Sequence, residues 1–264
     1  MSSRRLIDMG GGTPRPPKLE LITERFYPAG TYTWHVPAAV NSVDVFLVGG
    51  GAGGRSAGGY YKAGSGGGYT KTFRGTGYTR PSSGTWSGSY YNGRDGNAVS
   101  VTPGTAITII VGSGGAANQA GSYSQFMNSN YVAEGGEVGG RGDLGGNFYG
   151  GNGGSGGGSC QCDGGIDGDD GYYWHNDTSG SRGNCGKGQG HTTRDFGESS
   201  GKPNAGGSYG DDAGSSRYCR NKQGYSEGMG SDNPGSGYGG AGWSYDGNSG
   251  GGDGTVLIRY YAYK

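Results

Sequence analysis

Apart from one triplet at Gly10-Gly11-Gly12, glycine clusters begin abruptly at Gly49-Gly50-Gly51 and stop just before Thr255-Val256-Leu257-Ile258, so two strand-like sequences bracket a glycine-dominated interior. That bracketing constrains the chain more than any other feature. Glycine loses more backbone entropy on folding than any other residue, about 0.5–1 kcal/mol beyond alanine inside a helix or strand. A chain with 68 glycines among 264 residues is therefore ordinarily disordered. Apolar strands closing both ends imply instead a folded unit whose interior is glycine backbone.

Leu, Ile, Val and Phe together make up about a ninth of the chain, below the roughly 20% that accompanies disorder when net charge is also high. Here the charge is balanced, with 21 basic and 21 acidic residues. No basic stripe is present to displace phosphate counterions, which argues against nucleic acid as a partner. No apolar run approaches the roughly twenty residues of a membrane helix, so no membrane insertion is expected. The pair Arg4-Arg5 is not followed by the apolar core of a secretory leader. Release by virion assembly and lysis is one route compatible with that reading.

Residues 1–20 place Gly10-Gly11-Gly12 before Pro14, Pro16 and Pro17 and read as an extended tether. The main domain is read as 21–264. Leu21–Thr23, Phe26–Gly30 and Thr31–Pro37 are rich in β-branched and aromatic residues and read as strands. Val43–Val48 alternates and then becomes wholly apolar, as a strand covered on both faces would. Ala98–Thr102 and Ala106–Gly112 flank Pro103-Gly104 and are expected to form a hairpin. The last strand is Gly254–Tyr261. These signals predict an all-β fold with almost no α-helix: a small antiparallel β-sandwich closed by the N- and C-terminal strands.

Between Gly112 and Gly254 the glycines keep no Gly-X-Y period and proline is scarce, which excludes collagen. A silk-like or linker region is one alternative. The other is a bundle of polyglycine II helices, three residues per turn like polyproline II, in which every amide can donate to a neighbouring coil. A net backbone hydrogen bond contributes about 0.5–1.5 kcal/mol while ordering a residue costs about 1–2 kcal/mol, so such a bundle needs many mutual neighbours and a frame.

The strings AGTYTWHVPAAVNSVDVFLVGGGAGG, GGGYTKTF, VTPGTAITIIVGSGG, SYSQFMNSNYVAEGG and GGGDGTVLIRYY together resemble the glycine-rich domain common in bacteriophage tail fibres and tail-tip adhesins, over about residues 26–262. The resemblance implies a β-sandwich carrying polyglycine helices at the far end of a virion, with loops that contact the host surface. It also implies a homo-oligomer, a trimer by family habit, docked to other tail proteins through residues 1–20. This chain departs from plainer members by inserts at about 76–97, 163–196 and 208–227, where specificity for a host surface glycan or protein is expected to lie.

Within those inserts, Tyr172, Tyr173, Trp174 and His175 form a dense aromatic cluster, and Trp86 with Tyr90 and Tyr91, and Arg217 with Tyr218 and Arg220, have the same character. Flat rings with polar handles suit a sugar face or a protein receptor. The same rings could instead pack on glycine coils in place of missing aliphatics. Arg141-Gly142-Asp143 reproduces a cell-attachment triplet that arises easily by chance in this composition.

Cys160, Cys162, Cys185 and Cys219 can pair as two disulfides in three ways or stay reduced. Their spacing lacks the paired knuckles of a structural zinc site, so no metal is assigned, although Asp167, Asp169 and Asp170 could offer oxygens to calcium. No nucleophile, base and orienting group share a recognisable motif, and His35 lies within a strand, so neither catalysis nor a cofactor is expected. The function expected is a non-enzymatic virion structural protein that binds a host receptor. The alternative is a purely architectural virion or cell-surface protein that assembles without a receptor.

Overall fold

The computed structural model describes residues 18–54, 61–75, 94–142, 149–158, 164–165, 167–171, 185–198, 200–208, 211–212 and 250–263. Within them the chain is all-β, as the alternation predicts, and its one helical feature is a single 3-10 turn at Asp195–Gly197.

The first sheet runs β1 (Leu19–Phe26), β12 (Thr255–Tyr263), β3 (Ser42–Val48) and β5 (Thr70–Phe73), with β6 (Val99–Ser100) also paired to β3. The second runs β2 (Gly30–His35), β7 (Ala106–Val111), β8 (Ser124–Phe126) and β9 (Val132–Ala133). Strand pairing is antiparallel throughout. The terminal strands pair over the whole of β1, from Leu19↔Tyr263 to Phe26↔Val256. The sheet therefore already includes Leu19 and Glu20, within the stretch read as tether.

Side chains from both sheets meet in one core. Val43, Val45, Leu47, Val256, Ile258 and Tyr260 face Trp34, Ile107, Ile109, Val111 and Phe126, as expected of stacked sheets whose inward residues alternate along each strand. Two polar side chains end inside it: Trp34 Nε1 donates to Glu24 Oε1 at 3.0 Å and the Tyr260 hydroxyl donates to the same oxygen at 2.5 Å. A second apolar cluster lies on the outer face of the first sheet, where Phe196 and Ala205 cover Phe46, Val48 and Leu257.

The Pro103-Gly104 hairpin does not form. β6 pairs with β3 in the first sheet and β7 with β2 and β8 in the second, so the turn carries the chain across the sandwich. An alternating apolar pattern suits either arrangement, because Val99 and Ile107 enter the same core from opposite layers. Gly104, at φ +77°, donates its amide to the Val36 carbonyl and fixes the crossing.

Beyond the sandwich the glycine segments hydrogen-bond to one another with a repeat of three. From Gly49 to Gly53, successive amides donate to the carbonyls of Tyr69, Ser122, Gly252, Gly66 and Gln119. Residues 49 and 52 thus address one neighbour, 50 and 53 a second, and 51 a third. Ala63, Gly66 and Tyr69 donate in turn to Gly140, Glu137 and Glu134, and Gly64 and Gly67 to Gly158 and Ser155. Packing is close enough that a Cβ on Gly49 would overlap the Glu134 carbonyl, and one on Gly68 the Gly49 carbonyl. Buried serines complete the lattice: Ser65 Oγ donates to the Gly53 carbonyl at 2.8 Å, and the Ser65 amide donates to Ser208 Oγ at 2.8 Å.

Candidate functional site

The lattice has two ends. At the near end, β3 and β12 run straight into it and Ser124 bridges the two regions, its Oγ donating to the Val48 carbonyl at 2.6 Å and accepting from the Gly112 amide at 2.9 Å. At the far end the described coils break off, at residues 54, 142, 158, 171 and 212. Lattice segments dip toward the sandwich and return: 150–158 pairs with the 64–67 coil once on the way in, through Gly151 and Gly154, and once on the way out, through Ser155 and Gly158.

At that far end the feet of several excursions lie side by side. β4 (Tyr61–Lys62) pairs with both β10 (Arg141–Gly142) and β11 (Asp211–Asp212). The Gly140 amide donates to the Tyr149 carbonyl at 2.6 Å, Gly64 to Gly158 at 2.7 Å, and Gly158 to Ser208 at 2.8 Å. Gly171 donates to the Gly186 carbonyl at 2.8 Å and Gly186 to that of Gly157 at 2.8 Å, closing the base of the stretch 172–184. The stretch 213–249 leaves from β11 and returns at Gly250, level with Gly53, because Gly51 donates to Gly252 and Gly251 to Gly115. Glycine is required at these feet: a Cβ on Gly171 would meet the Gly157 carbonyl and one on Gly186 that of Gly151.

Tyr172, Tyr173, Trp174, His175, Arg217, Tyr218 and Arg220 lie outside the described residues, as do Cys160, Cys162 and Cys219. The stretches that hold them all spring from this far end. Cys185, half-buried, stands at the foot of 172–184. Trp86, Tyr90 and Tyr91 also lie outside the described residues, but their stretch begins elsewhere. Its feet are Gly75, whose amide donates to Asp44 Oδ1 at 2.8 Å, and Arg94, beside the Phe73↔Gly96 bridge. Those residues sit at the start of β3, across the sandwich from the lattice, so the two sets of rings have separate bases.

The insert 163–196 is not one loop. Its described parts, 164–165, 167–171 and 185–196, are built into the lattice and the outer face, and Phe196 is a core residue. Asp167 holds these parts together. At φ +40°, it accepts from Thr192 Oγ1 at 2.8 Å, the Thr193 amide at 2.8 Å and Arg194 Nε at 3.1 Å. That carboxylate is committed to hydrogen bonds, and Asp170 Oδ1 accepts from the Gly188 amide at 2.7 Å. Among the described residues no three His, Cys, Asp or Glu side chains converge on a metal position.

Arg259 joins the outer face to the sheet. Its guanidinium lies 4.1 Å from the centre of the Phe196 ring and donates to Glu198 Oε1 at 2.7 Å and Asp44 Oδ2 at 3.1 Å. Burial works against its charge, but the two carboxylates outweigh burial and raise its pKa. Asp195 is pushed upward by burial, against a hydrogen bond from Asn204. Sequence reasoning missed Phe196 and the strands β8 and β9. The alternation Gln125-Phe126 and Tyr131-Val132 around the polar turn Asn128-Ser129-Asn130 carried that signal.

The model of the glycine-rich domain family matches residues 27–261, from the end of β1 through most of β12. The chain belongs to that family. No curated protein matches it. Among the described residues no helix is long and apolar enough to cross a membrane.

Proposed function

We propose that this chain is a non-enzymatic structural protein of a phage tail fibre or tail tip, and that it binds a host-cell surface receptor through the stretches at the far end of its lattice. The observation that carries this reading is the shared base of 143–148, 159–163, 172–184 and 213–249 on adjoining residues of a rigid scaffold. A binding face assembled from several excursions on fixed feet is how scaffolds present variable recognition loops. Aromatic rings with polar handles provide contact area at little entropic cost. The sequence resemblance supplies the virion setting, with residues 1–20 docking to other tail proteins and the receptor a surface glycan or protein. In this reading the lattice coils are polyglycine II helices, which the three-residue repeat of their hydrogen bonds supports.

The test replaces Tyr172, Tyr173, Trp174 and His175 by alanine in the full chain and measures binding to a glycan microarray and to intact bacteria of diverse surface type. Binding by the parent that is lost in the variant, with thermal unfolding unchanged, supports the proposal. Equal binding by both rejects it.

One feature favours the architectural alternative. On the outer face, Leu19 and Leu21 oppose Tyr263 and Tyr261 across β1 and β12 and are 50, 51, 65 and 62% exposed, an apolar strip of the kind that marks an interface. If subunits pack through it, Tyr261→Ser with Leu21→Ser lowers the oligomeric mass measured by light scattering; an unchanged mass removes the support.

A further inference from the structure

The segment 185–208 folds over the outer face of the first sheet and is fastened to β5 by a polar clamp. The Thr70 amide donates to Gln189 Oε1 at 2.9 Å, and Gln189 Nε2 donates to Thr70 Oγ1 and, at 3.1 Å, to the His191 carbonyl. The Thr70 hydroxyl donates to the Thr192 carbonyl at 3.3 Å. His191 is seated in this clamp in a way that suits a neutral ring. Its Nδ1 is buried without a hydrogen-bond partner, and its Nε2 lies 3.8 Å from Asp95 Oδ1, beyond hydrogen-bond reach. That carboxylate already accepts from Lys71 Nζ at 3.2 Å and from the Thr72 amide at 2.7 Å.

We propose that His191 is an acid-released latch: protonation of its ring loosens the 189–193 clamp from β5 and frees the 185–208 segment from Phe46, Val48 and Leu257. The uncovered face is continuous with the exposed strip at Tyr261 and Tyr263, because residues 257, 259, 261 and 263 share one face of β12. A neutral-pH surface that is polar over this area thus becomes apolar in acid.

The groups around the ring set the sign. Burial opposes the imidazolium most strongly and Lys71 on β5 adds to that. Asp95 from the 94–96 segment, Asp167 from the 164–171 segment and the Thr192 backbone favour the cation, and the net effect holds the pKa below the ordinary histidine value. A base with a lowered folded pKa contributes stability that is complete above about pH 6.5, its unfolded value, and is lost as pH falls below it. Asp195 acts in the opposite sense, its carboxyl raised by burial.

Hydrogen exchange of the full chain at pH 7.5 and 5.5, corrected for intrinsic rates, tests the latch. Peptides covering 70–73 and 185–208 should open more in acid, by up to about tenfold at pH 5.5, one unit below the ordinary histidine pKa, while β3 and β7 stay as protected as before. His191→Gln should abolish the response. Lys71→Met, which removes a cation opposing protonation, should shrink it and answers the question if His191→Gln fails to fold. An acid response that is absent, that spreads equally over both sheets, or that persists unchanged in His191→Gln or Lys71→Met overturns the proposal.

Discussion

In the sandwich, Phe126, Ile109 and Val45 exclude water with their side chains, and the strand ladders satisfy the backbone along the way. In the lattice the order is reversed. Gly66, Gly67, Gly151 and Gly157 have no side chains to exclude water, and their amides donate to the carbonyls of Glu137, Ser155, Gly64 and Gly151 in packing so close that a Cβ on any of the four glycines would overlap a neighbouring carbonyl. One region is specified by volume and the other by the absence of volume, so they should respond oppositely to the same kind of substitution.

The largest effect is expected where a methyl group enters the lattice. In Gly66→Ala the new carbon would overlap the Asn152 carbonyl and lie 2.8 Å from the Gly151 carbonyl oxygen. Backbone on both sides must move, so the loss should exceed about 4–5 kcal/mol, the range of exceptional lesions. Soluble yield and calorimetric unfolding check it. Next comes the reverse operation in the sandwich. Phe126→Ala removes a fully buried ring and should cost about 3–5 kcal/mol, read as a shift in denaturant midpoint at unchanged slope.

The junction gives an intermediate case. Ser124→Ala leaves the Val48 carbonyl and the Gly112 amide without their buried partner and should cost about 1–3 kcal/mol, with opening seen first in amides near residues 112 and 124. The smallest effect reverses sign. At Gly75 an added Cβ meets, among the described residues, only Asp44 Oδ1 at 3.8 Å and the Ala98 methyl at 4.0 Å, so Gly75→Ala should stabilise the chain by about 0.4–1 kcal/mol through the unfolded state. A destabilised Gly75→Ala would show that glycine outside the lattice also has a steric role.

What could be read from the sequence divides along the same line. β3 and β12 were legible because Val43–Val48 and Thr255–Tyr261 carry their apolar pattern locally, and the glycine boundaries showed where side-chain packing gives way. The sheet assignment of β6 and β7 was not, since the pattern around Pro103-Gly104 describes two strands without naming their partners. Phe196 escaped because its partners Phe46 and Leu257 are far away in sequence. The Asp167 hub depends on a left-handed backbone at a non-glycine residue, which no spacing announces. Of the candidate site, composition marked the aromatic stretches. Only the hydrogen bonds among their glycine feet show that 172–184 and 213–249 share a base and that 76–93 stands apart.

Residue-resolved amide exchange under native conditions tests the central claim most directly, that backbone pairing, completed by a few buried serines, holds the lattice. Gly50, Gly66, Gly136, Gly151 and Gly157, each donating at 2.8–2.9 Å, should be protected to nearly the same free energy as Val45 and Ile258 in the sandwich. If those glycine amides instead exchange at the rate of an unstructured peptide while Val45 and Ile258 stay protected, the lattice is not a folded core and the account is contradicted.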